Sequence, residues 1–244
     1  MLMLMLKEQI RNRRKIIEIT YKANESHLGS SLSCVDIIEA VYQIKRKEER
    51  FILSAGHAAS ALYAVLENHG YILRPNLAQL GVHPNRNLKI DIPVSTGSLG
   101  QGLPIAVGIA LANRKYHVYC CISDGECAEG SISEALKIGS ENSLKNLIIL
   151  VNANGYAAYR KTHVKRLEFE FLSYGWDVIK VPGHNIKKIK KAIQTPKLRP
   201  TVIIALTKVN HFPFLKGLDA HYYKMNKDDY LLALKTLKYG KISN

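Results

Sequence analysis

No stretch of this 244-residue chain approaches the roughly 20 apolar residues that a helix needs to cross a bilayer. The opening, 1–6, alternates Met and Leu, yet it is too short for a signal peptide's apolar region and lacks a small-residue cleavage site. These absences predict a cytoplasmic protein whose first six residues fray or join a subunit contact. Cysteine is scarce. Cys34, Cys120, Cys121 and Cys127 form no CxxC pair and no zinc spacing, and the adjacent Cys120 and Cys121 sit in an apolar run, as reduced core residues do. Acid is in deficit, with 20 Asp and Glu against 35 Lys and Arg, a formal charge of +15. The cations gather only in short clusters, at 11–15, 45–50 and 187–191. With no arginine-rich stripe interleaved with aromatics, the excess reads as a solvated lysine-rich surface and not as a nucleic-acid contact. Internal repeats and low-complexity linkers are also missing.

What is present is a core-building composition, 47% apolar, in which helical and strand patterns alternate. That alternation predicts a single α/β domain over 1–244, a three-layer α/β/α sandwich with a mostly parallel sheet. Strands are expected at 50–53, 116–122, 147–151, 176–181 and 201–206. Helices are expected at 7–22, 57–68, 103–113, 131–142 and 227–237. Ser33 has the position of an N-cap for a helix through Asp36, Ile37, Ala40 and Val41, and Asn185 that of a cap for a lysine-rich helix.

The sharpest chemical signal is a strand ending in Ser123-Asp124-Gly125-Glu126, followed by a strand ending in Asn152-Ala153-Asn154-Gly155-Tyr156. In an open parallel sheet, ligands bind beyond the carboxyl ends of the strands. If the two strands are neighbours, Asp124 offers a carboxylate oxygen and Asn154 an amide oxygen to one crevice. The Tyr156 carbonyl is a candidate third ligand. Such an oxygen set suits Mg²⁺ or Ca²⁺ shared with phosphate oxygens. Gly125 leaves room for a phosphate to approach the backbone. Asp-Gly and Asn-Gly pairs are also frequent in ordinary strand-end turns, so this pair of motifs alone leaves both readings open. Of the nine histidines, His27, His57 and His83 stand out because each lies in a Gly- or Pro-containing turn. His69, His117, His163, His184 and His211 have only the ordinary role of surface or satisfied core residues.

The spacing resembles the diphosphate-and-metal motif of thiamine-diphosphate enzymes, with Ser123 in place of its first Gly and Ala153 in place of a polar residue. Other segments resemble transketolases in particular. Ser26-His27-Leu28-Gly29-Ser30-Ser31-Leu32-Ser33 is similar to that family's Gly-His-Pro-Gly-Gly-Ser-Leu-Ser, and Ser54-Ala55-Gly56-His57-Ala58-Ala59-Ser60-Ala61-Leu62-Tyr63 to its Ser-Lys-Gly-His-Ala-Ala-Pro-Ala-Leu-Tyr. His83-Pro84 matches Gly-His-Pro, and Thr96-Gly97-Ser98-Leu99-Gly100-Gln101-Gly102 nearly copies the family's loop. Gly175-Trp176 and Gly183-His184-Asn185 follow in family order.

The resemblance implies a thiamine-diphosphate-binding fold of the diphosphate type. It implies that Asp124, Asn154 and the Tyr156 carbonyl hold the metal, that His57 and Gly125 contact the diphosphate, and that Gly97 and Leu99 reach the aminopyrimidine through backbone atoms. His27 and His83 would face the reacting carbon. His221 falls near a family histidine, although the Lys-Gly-Lys-Gly stretch before it is replaced by Thr207-Lys208-Val209-Asn210. Glu129 and Glu134 match glutamates at the subunit interface. The implied reaction is transfer of a two-carbon ketol unit from a ketose to an aldose. The family's pyrimidine-side glutamate and stacking aromatic residue belong to a second domain. The chain is therefore expected to act with a separately encoded C-terminal subunit, as an α2β2 assembly on sugars or sugar phosphates. Trimmed segments before Arg50, near Arg114 and at 157–165 point to a specialised sugar. Rival readings are another thiamine enzyme, E1-like or deoxyxylulose-phosphate-synthase-like, and a non-catalytic regulatory subunit.

Overall fold

The computed structural model describes residues 3–238 and 241–242. In chain order the elements are β1 (Met3–Leu4), α1 (Lys7–Lys22), α2 (Leu28–Tyr42), β2 (Arg50–Leu53), α3 (Ala59–Asn68), α4 (Leu77–Leu80), α5 (Gly102–Ala112), β3 (Val118–Ser123), α6 (Gly130–Glu141), β4 (Leu147–Ala153), α7 (Val164–Ser173), β5 (Asp177–Pro182), α8 (Ile186–Gln194), β6 (Thr201–Leu206), α9 (Lys227–Lys238) and β7 (Lys241–Ile242). Of the opening expected to fray, Met1 and Leu2 lie outside the described residues, and β1 pairs antiparallel with β7.

The main sheet has the order β2-β3-β4-β6-β5, and every pairing in it is parallel. Successive strand residues point to opposite faces, and this sequence uses both faces. Tyr119 and Cys121, Ile148 and Leu150, and Ile203 and Ala205 enter one core, against α1, α2, α3 and α8. Val118, Cys120 and Ile122, Leu147, Ile149 and Val151, and Val202 and Ile204 enter the other, against α5, α6 and α7. A parallel sheet covered on both sides needs such unbroken apolar strands. β3 and β4 are accordingly buried at every position, whereas the edge strand β5 is largely half-buried. The second core is pinned by Trp176, whose indole N–H donates to the Leu136 carbonyl at 2.9 Å. A Cβ on Gly139 would stand 2.7 Å from the indole ring.

The structure corrects one cap. Ser33 does not start a helix. It lies within α2, which begins after His27 and buries all fifteen of its residues. The Ser33 hydroxyl donates back to the Ser30 carbonyl at 2.9 Å. Apolar residues continue upstream through Leu32 and Leu28, so packing carries the helix past the polar residues that local capping rules favour. Its start is set instead by His27, held at φ 65° in the left-handed region. Asn185 does cap α8, accepting from the Lys188 N–H at 3.0 Å.

Candidate functional site

β3 and β4 are neighbours, with Ser123 paired to Asn152, so the turns that follow them open side by side at the carboxyl edge of the sheet. The Asp124 N–H donates to the Asn152 carbonyl at 3.2 Å. Its Oδ2 accepts from the Gly155 N–H at 2.8 Å and from the Thr162 hydroxyl. This carries the carboxylate across to the residue next to Asn154. Asp124 Oδ1 is buried and has no hydrogen-bond partner. Burial pushes the carboxyl up to about 6 against these hydrogen bonds. An unpaired buried acceptor costs about 1–3 kcal/mol, and a divalent ion would satisfy it. Asn154 is fixed from both ends of its amide: Oδ1 accepts from the Tyr156 N–H at 2.9 Å, and Nδ2 donates to the Ser33 hydroxyl at 3.4 Å. Among the described residues there is no group of three or more His, Cys, Asp and Glu arranged for a metal. A set of one carboxylate, one amide and one carbonyl would leave the rest of an ion's shell to phosphate oxygens and water.

Above these turns lies a cavity of about 450 Å³. His27, His57, His83 and His221 line it together with Gly97, Leu99, Gly125, Glu129, Asn154 and Tyr156. The ring centroids of His27 and His221 are 4.8 Å apart, those of His57 and His221 5.3 Å, and those of His27 and His57 5.4 Å. The His27 N–H donates to the His221 carbonyl at 3.0 Å, tying the start of α2 to the 217–221 turn. Close backbone approach builds the wall. A Cβ on Gly56 would lie 2.7 Å from the Gly97 N, and one on Gly97, at φ 144°, would lie 2.8 Å from the His83 ring. Tyr159 and Arg160 form part of the rim. Glu129 is exposed and lines the cavity; Glu134, also exposed, lies further along α6 and outside the lining. A larger cavity of about 740 Å³ opens between α1 and α4, but it holds no histidine and none of the turns above.

Burial favours the neutral form of three of the clustered imidazoles, His27, His57 and His221. Burial first, then neighbouring histidines, lowers His27 to about 4 and His57 to about 3, and burial lowers His221. With folded values below unfolded ones, the folded protein binds fewer protons than the unfolded chain. This contribution is complete above the unfolded value of 6.5 and is lost as pH falls toward about 4 and about 3. The melting temperature is therefore expected to drop as pH is lowered from 6.5 to 4, and His57→Gln to flatten that drop. A slope unchanged by the substitution would contradict the assignment.

Sequence reasoning missed Glu126, which is fully buried although it follows the Asp-Gly pair directly. It also missed the part played by Ser123, whose hydroxyl accepts from the Glu126 N–H at 3.2 Å. Ala153 simply joins the second core. His184 has the satisfied core role expected of it: Nδ1 pairs with the buried Asp36 at 2.9 Å, and Nε2 accepts from the Lys208 N–H.

Residues 7–236 match the family described as "Transketolase, thiamine diphosphate binding domain". The chain is similar to one of the subunits of the apulose-4-phosphate transketolase from Phocaeicola vulgatus, 31% identical over 236 residues that cover 85% of this chain and 84% of that one. It is likewise similar to the 6-deoxy-6-sulfo-D-fructose transketolase subunit SqwG of a Clostridium species, 31% identical over 258 residues and 93% of each chain. Among solved structures, a Campylobacter jejuni transketolase superposes with a TM-score of 0.81 over 95% of this chain and 42% of that one. At 24% identity that likeness carries the fold alone. With the parallel sheet, the paired strand-end turns and the family match over nearly the whole chain, this protein belongs to the transketolase family and carries its thiamine diphosphate binding domain.

Proposed function

We propose that this chain is the diphosphate- and Mg²⁺-binding subunit of a two-chain transketolase, completed by a separately encoded C-terminal subunit in an α2β2 assembly. The observation that carries the reading is the orphaned Asp124 Oδ1, buried beside Asn154 at adjacent strand ends beneath a cluster of four histidines. Asp124, Asn154 and the Tyr156 carbonyl hold the ion, Mg²⁺ or Ca²⁺. His57 and Gly125 contact the diphosphate, and the backbone at Gly97 and Leu99 meets the aminopyrimidine. Thiamine diphosphate, when bound, supplies the electron sink that breaking and making C–C bonds requires.

The chain's own residues do the rest. His27, His83 and His221 face the cavity, and an imidazole there donates an N–H to a substrate oxygen or moves a proton. Glu129 and Glu134, exposed on one side of the site, meet the partner subunit. Two relatives are named for sugars bearing a phosphate or a sulfonate. We take the donor here to be a ketose with such an anionic group and the acceptor to be an aldose. A non-catalytic subunit would draw support from Ser123 and Ala153, but both are accommodated: one hydrogen-bonds Glu126 and the other fills the core.

His27→Ala is expected to lower kcat about 100-fold while the dissociation constant of thiamine diphosphate changes less than about threefold, the pattern of lost proton transfer or oxyanion donation. Turnover and calorimetric affinity, measured on the assembled enzyme, check it. An equal loss in both would move His27 from the reacting centre to the cofactor.

A further inference from the structure

Glu126 is 0% exposed, although carboxylates are among the groups least often buried without a cation. Among the described residues, hydrogen bonds alone compensate it. Oε1 accepts from the Ser54 hydroxyl at 2.6 Å and from the Gly100 N–H at 2.9 Å. Oε2 accepts from the Ser123 N–H at 2.9 Å, with the Ser123 hydroxyl at 3.4 Å. Ser54 Oγ also accepts from the Gly102 N–H at 3.2 Å. One carboxylate thus joins three segments: the residue after β2, the loop 97–102, and the turn 123–125. The contacts are close. A Cβ on Gly102 would stand 2.5 Å from Ser54 Cβ, and one on Gly100, at φ 79°, 2.7 Å from Glu129 Cβ.

A site needing only bulk would do as well with an apolar residue, because replacing a buried polar cluster by packed hydrocarbon is often neutral or stabilising. A carboxylate adds two acceptor oxygens pointing in different directions. Here each oxygen fixes a different wall of the cavity, since Gly97 and Leu99 belong to the loop and Gly125 to the turn. We propose that Glu126 is a positioning residue that holds the ring-side loop and the diphosphate-side turn in register for thiamine diphosphate, with Ser54 as its arm on the loop. The inference rests on the cofactor reading above.

Two variants in the assembled enzyme test it, with Mg²⁺–thiamine diphosphate and Mg²⁺–pyrophosphate as calorimetric probes beside the melting temperature. On that reading pyrophosphate would reach the turn and His57 but not the loop, whereas the full cofactor would also reach the loop. Ser54→Ala is expected to weaken thiamine diphosphate about tenfold, as loss of a charge-assisted hydrogen bond does, and to leave pyrophosphate within about twofold. Glu126→Gln presents an N–H to one of the two backbone donors and should weaken both probes, the full cofactor more. Equal losses for both probes in Ser54→Ala, or wild-type affinities in both variants, would overturn the positioning role. A change confined to the melting temperature would do so too. A wild-type enzyme that binds neither probe would overturn the cofactor reading itself, and this proposal with it.

Discussion

Asp124→Ala is expected to abolish Mg²⁺-dependent retention of thiamine diphosphate by the assembled enzyme and to leave the fold intact. The expected rise in dissociation constant is 100-fold or more, about 3 kcal/mol, because the substitution removes the only carboxylate in the candidate ion's protein shell. The apo protein pays no matching stability penalty. Burial raises the folded pKa of Asp124 from 3.8 to about 6, so the folded state holds its proton more tightly than the unfolded chain does. Such a group costs stability increasingly as pH rises from 3.8 through about 6, and the full cost is present at pH 8. At pH 8 the Ala variant without cofactor should melt no lower than wild type, despite losing the Gly155 and Thr162 hydrogen bonds. Calorimetric titration of Mg²⁺–thiamine diphosphate and a melting curve check both halves. Unchanged affinity would remove the metal role from Asp124.

The second large effect concerns the partner. This chain alone is expected to transfer no ketol unit between sugar phosphates above background, and addition of the C-terminal subunit to restore turnover by at least about 10⁴-fold, a small part of what enzymes achieve. Among the described residues, Glu129 is the one carboxylate lining the cavity, and it sits exposed on the side where the partner is proposed to dock. On the proposed reading, the imidazoles, the Gly97 loop and the Asp124 turn would hold the diphosphate and the near side of the ring, and another chain would cover the far side. The relatives named as subunits are matched over 84% and 93% of their length, in line with this division. Ketol transfer by the purified chain, monitored with a coupled assay and a range of phosphorylated ketoses, would refute the two-chain requirement.

Much of the site was legible because it depends on turns whose chemistry is local. Asp124-Gly125 and Asn154-Gly155 end uninterrupted apolar strands, and helix–strand alternation points to a parallel sheet; that β3 and β4 are neighbours, only a condition in the sequence, is seen in the structure. His27, His57 and His83 stood out by their Gly and Pro neighbours, and His221 by resemblance; the cavity holds all four. What escaped depends on long-range packing. Ser33 has the chemistry of a cap, yet tertiary burial places it inside α2, where its hydroxyl accepts from the Asn152 amide at 2.8 Å. Glu126 reads as an exposed acid after a turn. Its burial depends on Ser54, 72 positions earlier, and on the Gly100 N–H. Helix α7 was overlooked because only Leu167 and Phe171 of its ten residues are buried, too few to set a visible period.

The most direct test is diffraction from crystals of the assembled enzyme grown with Mn²⁺ and thiamine diphosphate. An anomalous peak should lie roughly 2.0–2.4 Å from Asp124 Oδ1, Asn154 Oδ1 and the Tyr156 carbonyl, the range for a hard divalent ion on oxygen. A peak elsewhere, or a diphosphate bound with no ion between it and Asp124, would contradict the account.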